Sequence, residues 1–111
     1  EDTADSLTET LVFTINMLPR EPYLHILAEP AFFVTFMQEF FNSDLSRERM
    51  ESTMRVCLRN APQLLPHSAE ISEVTSRFLL SMLITRGGIK RTDNQLRDFI
   101  RRRILPGLLL P

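Results

Sequence analysis

Proline and glycine divide this chain of 111 residues into segments in which apolar side chains recur every three or four positions. This spacing places the apolar side chains on one face of an α-helix, whereas a half-buried β-strand alternates apolar and polar residues. No Asn-Gly or Asp-Gly pair, which would favour a β-hairpin turn, occurs in the chain. The sequence therefore predicts an all-α fold.

About five helices are predicted, and short linkers join them. They cover about residues 7–18, 31–41, 44–60, 68–85 and 92–105, with the third beginning after residue 44 or 46. Ser6 with Glu9 and Thr92 with Gln95 have the spacing of capping boxes, and Ser68 is a candidate N-cap for the fourth helix. Short linkers favour antiparallel neighbours, so the helices form either a compact bundle or a HEAT- or armadillo-like repeat segment.

Proline and glycine leave one boundary open and mark two others. Proline fits the first turn of a helix, so Pro22 can begin a short helical turn and Pro30 a new helix. Alternatively, Pro30 only kinks one longer helix. The Gly87-Gly88 pair predicts a left-handed end to the fourth helix, and the Pro106-Gly107 pair predicts the end of the fifth.

The length fits a single domain over residues 1–111. The first residue is Glu1, and the chain ends in a leucine tail, Leu108 to Leu110, so we expect a domain cut from a longer protein. The tail is predicted to pack on this domain or to lead into a further helix, and a short recognition motif is the other interpretation. The single cysteine favours an intracellular protein of the cytoplasm or nucleus. No apolar run approaches the length of about 18 residues that spans a bilayer, so we expect no membrane partner.

The residues that metal sites and nucleophilic catalysis require are scarce. His25, His67 and Cys57 are the only histidines and the only thiol, and they lack the close spacing of zinc ligands. Cys57 follows Val56 on the apolar side of its helix, where a thiol behaves as a small hydrophobe and its pKa is expected to rise. No Gly-x-Ser-x-Gly or phosphate-binding glycine motif occurs. We therefore expect no enzyme, metal or cofactor.

Segment 32–41 is the strongest apolar signal, because it holds five of the eight phenylalanines. Phe33, Phe36, Met37 and Phe40 lie on one broad side of the predicted helix. One interpretation is a central core helix that its neighbours cover on nearly all sides. The other is that one edge lines a groove for a partner helix, since methionine adapts to varied surfaces.

Charge is unevenly distributed along the chain. Residues 1–50 hold nine acidic and three basic residues, whereas residues 51–111 hold five acidic and ten basic ones. Several arginines have an acid four residues earlier on the same helix face, in the pairs Glu51–Arg55, Glu73–Arg77 and Asp98–Arg102. Arg97 and Arg101 share one face, and we expect them to lack an obvious acidic partner.

Together these features predict a non-enzymatic protein–protein interaction domain, or scaffold. In this hypothesis Phe33, Phe36, Met37 and Phe40 anchor a partner helix or peptide. An arginine rim, formed by Arg97, Arg101 and Arg103, faces acidic groups of the partner. A nucleic-acid-binding domain that uses the basic C-terminal helix is the alternative, although the isoelectric point near 6.1 is low for that function. Self-association through the apolar side is a further alternative.

Overall fold

The computed structural model describes residues 2–20, 29–84 and 89–111, and within these ranges the regular structure is entirely helical. The five main helices are α1 (Thr3–Met17), α2 (Pro30–Asn42), α3 (Asp44–Cys57), α4 (Ser68–Ile84) and α5 (Asp93–Phe99). A π-helical turn (Ile100–Ile104) joins α5 to the short helix α6 (Leu105–Leu108). Two 3-10 segments cover Leu18–Arg20 and Pro62–His67. The all-α prediction is confirmed.

Helix α1 begins one turn earlier than predicted. The Asp2 carboxylate accepts a hydrogen bond from the backbone N–H of Ala4 at 3.3 Å, so Asp2 is the N-cap. Ser6 lies inside the helix, and the predicted capping box of Ser6 with Glu9 is therefore wrong. The physical reason is that an acidic cap is available one turn upstream, where it also interacts favourably with the positive end of the helix dipole.

Pro30 begins α2 and does not kink a longer helix. Glu29 before it has extended backbone (φ −78°, ψ 121°), as expected for a residue that precedes proline. Ser43 then separates α2 from α3, and its hydroxyl oxygen accepts a hydrogen bond from the backbone N–H of Ser46 at 3.2 Å. Helix α3 ends at Cys57, three residues before the predicted end. The predicted short turn after Pro22 and the Gly87-Gly88 stop lie outside the described residues.

Two further predicted helix boundaries differ from the structure, and one is confirmed. Ser68 is not an N-cap, because its backbone is already helical; its hydroxyl donates to Oε2 of Glu51 at 3.3 Å. The capping box of Thr92 and Gln95 is confirmed by both of its hydrogen bonds, of 2.9 and 3.2 Å. The Pro106-Gly107 pair does not end the helical path, because the wide π turn places Pro106 in the first turn of α6, where no backbone N–H is needed.

Helix α1 is the centre of the bundle, since it contacts α3, α4, α5 and the π turn. In a helical-repeat segment each hairpin would contact only its neighbours along the chain, so these contacts describe a closed bundle. The buried core includes Leu11 and Ile15 of α1, Leu58 after α3, and Leu108 of the tail. The leucine tail therefore packs on the domain, although Leu110 is exposed. Among the described residues, no helix combines the length and the hydropathy that crossing a bilayer requires.

Candidate functional site

Helix α2 lies at the edge of the bundle. All of its residues are described, and none of them is buried. Phe33, Phe36, Met37 and Phe40 are half-buried, whereas Phe32 is 59% exposed. The interpretation of α2 as a central core helix is therefore wrong. Its rings pack partly on one another, as in the stacked pair Phe36–Phe40, whose centroids are 5.6 Å apart.

An apolar groove of about 320 Å³ separates α2 from the centre of the bundle. Its floor consists of almost fully buried side chains of α1, α3 and α4: Leu7, Leu11, Met54, Thr75, Ser76 and Leu80. Its walls are half-buried: Phe36, Phe40, Met50, Cys57, Leu79 and Leu83. Of the four predicted anchor residues, Phe36 and Phe40 line the groove, whereas Phe33 and Met37 do not. The groove is the candidate functional site.

Helix α4 contributes three residues to the groove floor, from a face that is only partly the predicted one. Helical spacing predicts an apolar stripe of Ile71, Val74, Phe78 and Met82; Ile71 is buried and Phe78 and Met82 pack against the core, whereas Val74 is 47% exposed. The buried face also includes three small hydroxyl residues: Ser72, Thr75 and Ser76. Their i, i+3, i+4 spacing is the signal that could have identified this face. Small side chains here leave the space that the groove occupies.

A second, more polar pocket of about 570 Å³ adjoins the groove and shares Phe40, Met50 and Ser76 with it. Four of the five charged side chains that line it are in ion pairs, and Glu70 is the fifth. Arg77 binds Glu73 at 2.9 Å and lies 4.3 Å above the ring of Phe41. Other charged groups at this pocket include the ion pairs Arg47–Asp44 and Glu51–Arg55. The predicted local pairs of Glu51 and Glu73 are therefore confirmed.

One exposed apolar side chain of α2 lies next to the groove wall. Phe32, which is 59% exposed, lies one turn before Phe36 on the same side of the helix.

Arg97 and Arg101 have acidic partners on α1, so the expectation that they lack an acid is wrong. Arg97 donates two hydrogen bonds to the Glu9 carboxylate, at 2.7 and 3.0 Å. Arg101 binds Asp5 at 2.6 Å. Glu9 pairs with Arg97 of α5, and Asp5, one turn earlier on α1, pairs with Arg101 of the π turn that continues α5. We call these two ion pairs the α1–α5 ladder. It escaped local pattern analysis because the paired residues are 88 and 96 positions apart in the chain.

The remaining C-terminal arginines are placed differently. Arg103 is exposed and forms no ion pair within the described ranges. Arg102 donates to the backbone carbonyl of Asp98 at 3.2 Å, so the predicted side-chain pair Asp98–Arg102 does not form. Neither residue lines the apolar groove. The structure thus separates the predicted arginine rim from the predicted phenylalanine anchors.

The α1–α5 ladder predicts an acid-sensitive contribution to stability. The hydrogen bonds from Arg97 hold the pKa of the Glu9 carboxyl below its ordinary value of 4.5. The ion pair therefore stabilises the fold above about pH 4.5, and this stabilisation is lost as the pH falls through the lowered pKa of the folded state. We expect Glu9→Gln to lower the urea midpoint at neutral pH and to flatten its decline in acid.

Glu48→Gln is the matched control, because Glu48 is an exposed α3 residue without an ion pair in the described ranges. The urea midpoints of Glu48→Gln, measured between about pH 7 and pH 2.5, should equal those of the unmodified protein. If the urea midpoint falls equally steeply with pH in Glu9→Gln and in Glu48→Gln, the α1–α5 ladder does not contribute to acid sensitivity.

Cys57 is the only thiol of the chain, and it lines the groove. Burial raises its pKa, which confirms the expectation for a thiol on the apolar side of α3. Among the described residues, no three His, Cys, Asp or Glu side chains are placed to hold a metal ion together. Comparison with protein-family models, curated proteins and solved structures finds no match to this chain.

Proposed function

We propose that this protein is a non-enzymatic interaction domain that binds one amphipathic helix of a partner protein in the apolar groove. The observation that carries the proposal is that α2 buries none of its residues, while its Phe36 and Phe40 line a groove of about 320 Å³. Phenylalanine anchors of this kind contribute most of the binding free energy in apolar interfaces.

A helix fits this groove better than an extended peptide. The described walls are helical, and within them no strand edge offers a row of free backbone N–H and C=O groups. An amphipathic helix satisfies its own backbone hydrogen bonds and presents an apolar stripe. Met50 and Met54 adjoin the groove and can adapt to the shape of its side chains.

The proposal rests on the groove alone. Arg97 and Arg101 already bind acids of α1, and Arg103 does not line the groove. Binding of nucleic acid by the C-terminal helix stays a prediction, and pairing of Arg97 and Arg101 with α1 reduces the free positive charge that such binding would use. We place the interaction inside the cell, in an assembly with another protein.

The test is a selection of helical peptides from a display library, with this protein as bait. Selected peptides should protect Cys57 from alkylation, because Cys57 lies in the groove wall. Phe36→Ala with Phe40→Ala should weaken their binding about 30-fold or more, as expected for loss of about 2 kcal/mol from anchor residues. Titration calorimetry measures the affinities.

Phe13→Ala is the control, because Phe13 is 64% exposed and does not line the groove. It should leave affinity nearly unchanged, and circular dichroism should show that both proteins fold. Peptides that bind the double variant equally well, or that leave Cys57 alkylation unchanged, would overturn the proposal. Failure to select any binder would also overturn it. So would protection of Cys57 that depends only on this protein's own concentration, which would indicate a homo-oligomer.

A further inference from the structure

The polar pocket beside the apolar groove continues it along α4. Residues 69–77 of α4 include its lining of the polar pocket, residues 75–83 include its lining of the groove, and Ser76 belongs to both. The rise of α4 from Ala69 to Leu83 is about 21 Å at about 1.5 Å per residue, which is the length of a helix of about four turns. A partner helix that follows α4 in the groove therefore reaches the polar pocket with its next turns.

One charged side chain of the polar pocket has no ionic partner. Three carboxylates and two guanidinium groups line the pocket: Glu51, Glu70, Glu73, Arg47 and Arg77. Within the described part of the chain, all of them except Glu70 are in ion pairs. Glu70 is exposed, so the pocket presents one uncompensated carboxylate next to an apolar groove.

Arg77 shows how a cationic side chain is held in this pocket. Its Nε donates to Oε2 of Glu73 at 2.9 Å, and its guanidinium lies 4.3 Å from the centroid of the Phe41 ring. Glu70 lies one turn before Glu73 on α4 and supplies a further carboxylate to the same pocket. An acidic side chain of a partner would be repelled there, and an apolar one would leave Glu70 without an ionic partner.

We infer that the polar pocket is the second half of the partner site, and that it accepts a lysine or arginine of the same partner helix, which pairs with Glu70. The apolar stripe of that helix packs in the groove against Phe36 and Phe40. Glu70 lies six residues before Ser76 on α4, a rise of about 9 Å, so the basic residue lies one or two turns beyond the last apolar anchor. The inference rests on the proposed function.

The position of Glu70 also determines the direction of the partner helix. The carboxylate lies at one end of the combined surface, so only one orientation of the helix brings its basic residue to Glu70. An exposed ion pair contributes little to affinity, but it discriminates between orientations and between partners. Glu70 is thus a specificity-determining residue of the proposed site.

The experiment repeats the peptide selection with two baits, the unmodified protein and Glu70→Gln. Peptides from the unmodified bait should carry Lys or Arg about three to eight positions beyond the apolar stripe, always at the same end. The Glu70→Gln bait should select peptides without this preference. In titration calorimetry at low salt, Glu70→Gln should bind the basic peptides about two- to fivefold more weakly than the unmodified protein, and high salt should reduce this difference.

Glu48→Gln is the matched control, because it removes the same charge from an exposed residue that lines neither cavity. It should leave the affinity for the basic peptides unchanged. A charge exchange is the complementary measurement: a peptide whose basic residue is replaced by Glu should bind Glu70→Lys more tightly than it binds the unmodified protein.

The outcomes separate the inference from the proposed function. Peptides that protect Cys57 and require Phe36 and Phe40, but show no basic preference or bind Glu70→Gln equally well, would overturn the inference and leave the proposed function standing. An equal loss of affinity in Glu48→Gln would do the same, because it would indicate a general effect of net charge. Absence of Cys57 protection would overturn both.

Discussion

Leu58→Ala is expected to lower the free energy of unfolding by about 2–5 kcal/mol. Leu58 has no exposed surface, and it packs in the core cluster at the turn that follows α3. Alanine there removes buried apolar contacts and leaves a cavity that the surrounding helices fill only in part. The change is a large fraction of the stability of a domain of this size, typically about 5–15 kcal/mol.

Leu45→Ala is the matched control, since Leu45 is the same residue type on α3 and is 58% exposed. We expect it to change stability by no more than about 0.5 kcal/mol. The chain has no tryptophan and one tyrosine, so urea unfolding is best followed by far-ultraviolet circular dichroism. Equal losses in the two variants would contradict the position of Leu58 in the core.

Leu108→Ala is expected to have the second large effect, a loss of roughly 2–5 kcal/mol. Leu108 is 4% exposed and packs in the core cluster together with Leu105. The helix continues as far as Leu108 because the π turn ends at Ile104 and Pro106 then lies in the first turn of α6. The C-terminal tail is thus predicted to be part of the folded domain in solution.

Leu110→Ala provides the comparison two residues further along, because Leu110 is 69% exposed. Its urea midpoint should match that of the unmodified protein. A Leu108→Ala protein with an unchanged midpoint would show that the tail does not contribute to the core, and it would favour the alternative interpretation of the tail as a recognition motif.

Local hydrogen bonds were predictable where no competing group was near. Thr92 with Gln95 forms the predicted capping box, while Ser6 with Glu9, at the same spacing, does not. The difference is Asp2, which caps α1 one turn earlier. Spacing therefore identifies a possible cap, and the alternatives upstream decide whether it is used.

Ion pairs were likewise predictable only where both residues lie on the same helix. Glu73–Arg77 follows from helical spacing, because residues four apart lie on one face. The ion pair of Arg101 with Asp5 joins residues at opposite ends of the chain, and it depends on α1 and the C-terminal helix lying side by side. The sequence showed an unevenly charged chain but not that its two ends neutralise each other.

Helical spacing determined the all-α class and the number of main helices, because these depend on residues within a few positions of one another. Proline positions offered two interpretations of Pro30, and the structure decided that it begins α2. Helical spacing also identified Phe36 and Phe40 as candidate anchors. Only the tertiary structure decided that α2 lies at the edge, that α4 turns Thr75 toward the groove floor, and that the tail is core. Whether an apolar face is buried depends on which helix covers it, and that is set by packing between residues far apart in the chain.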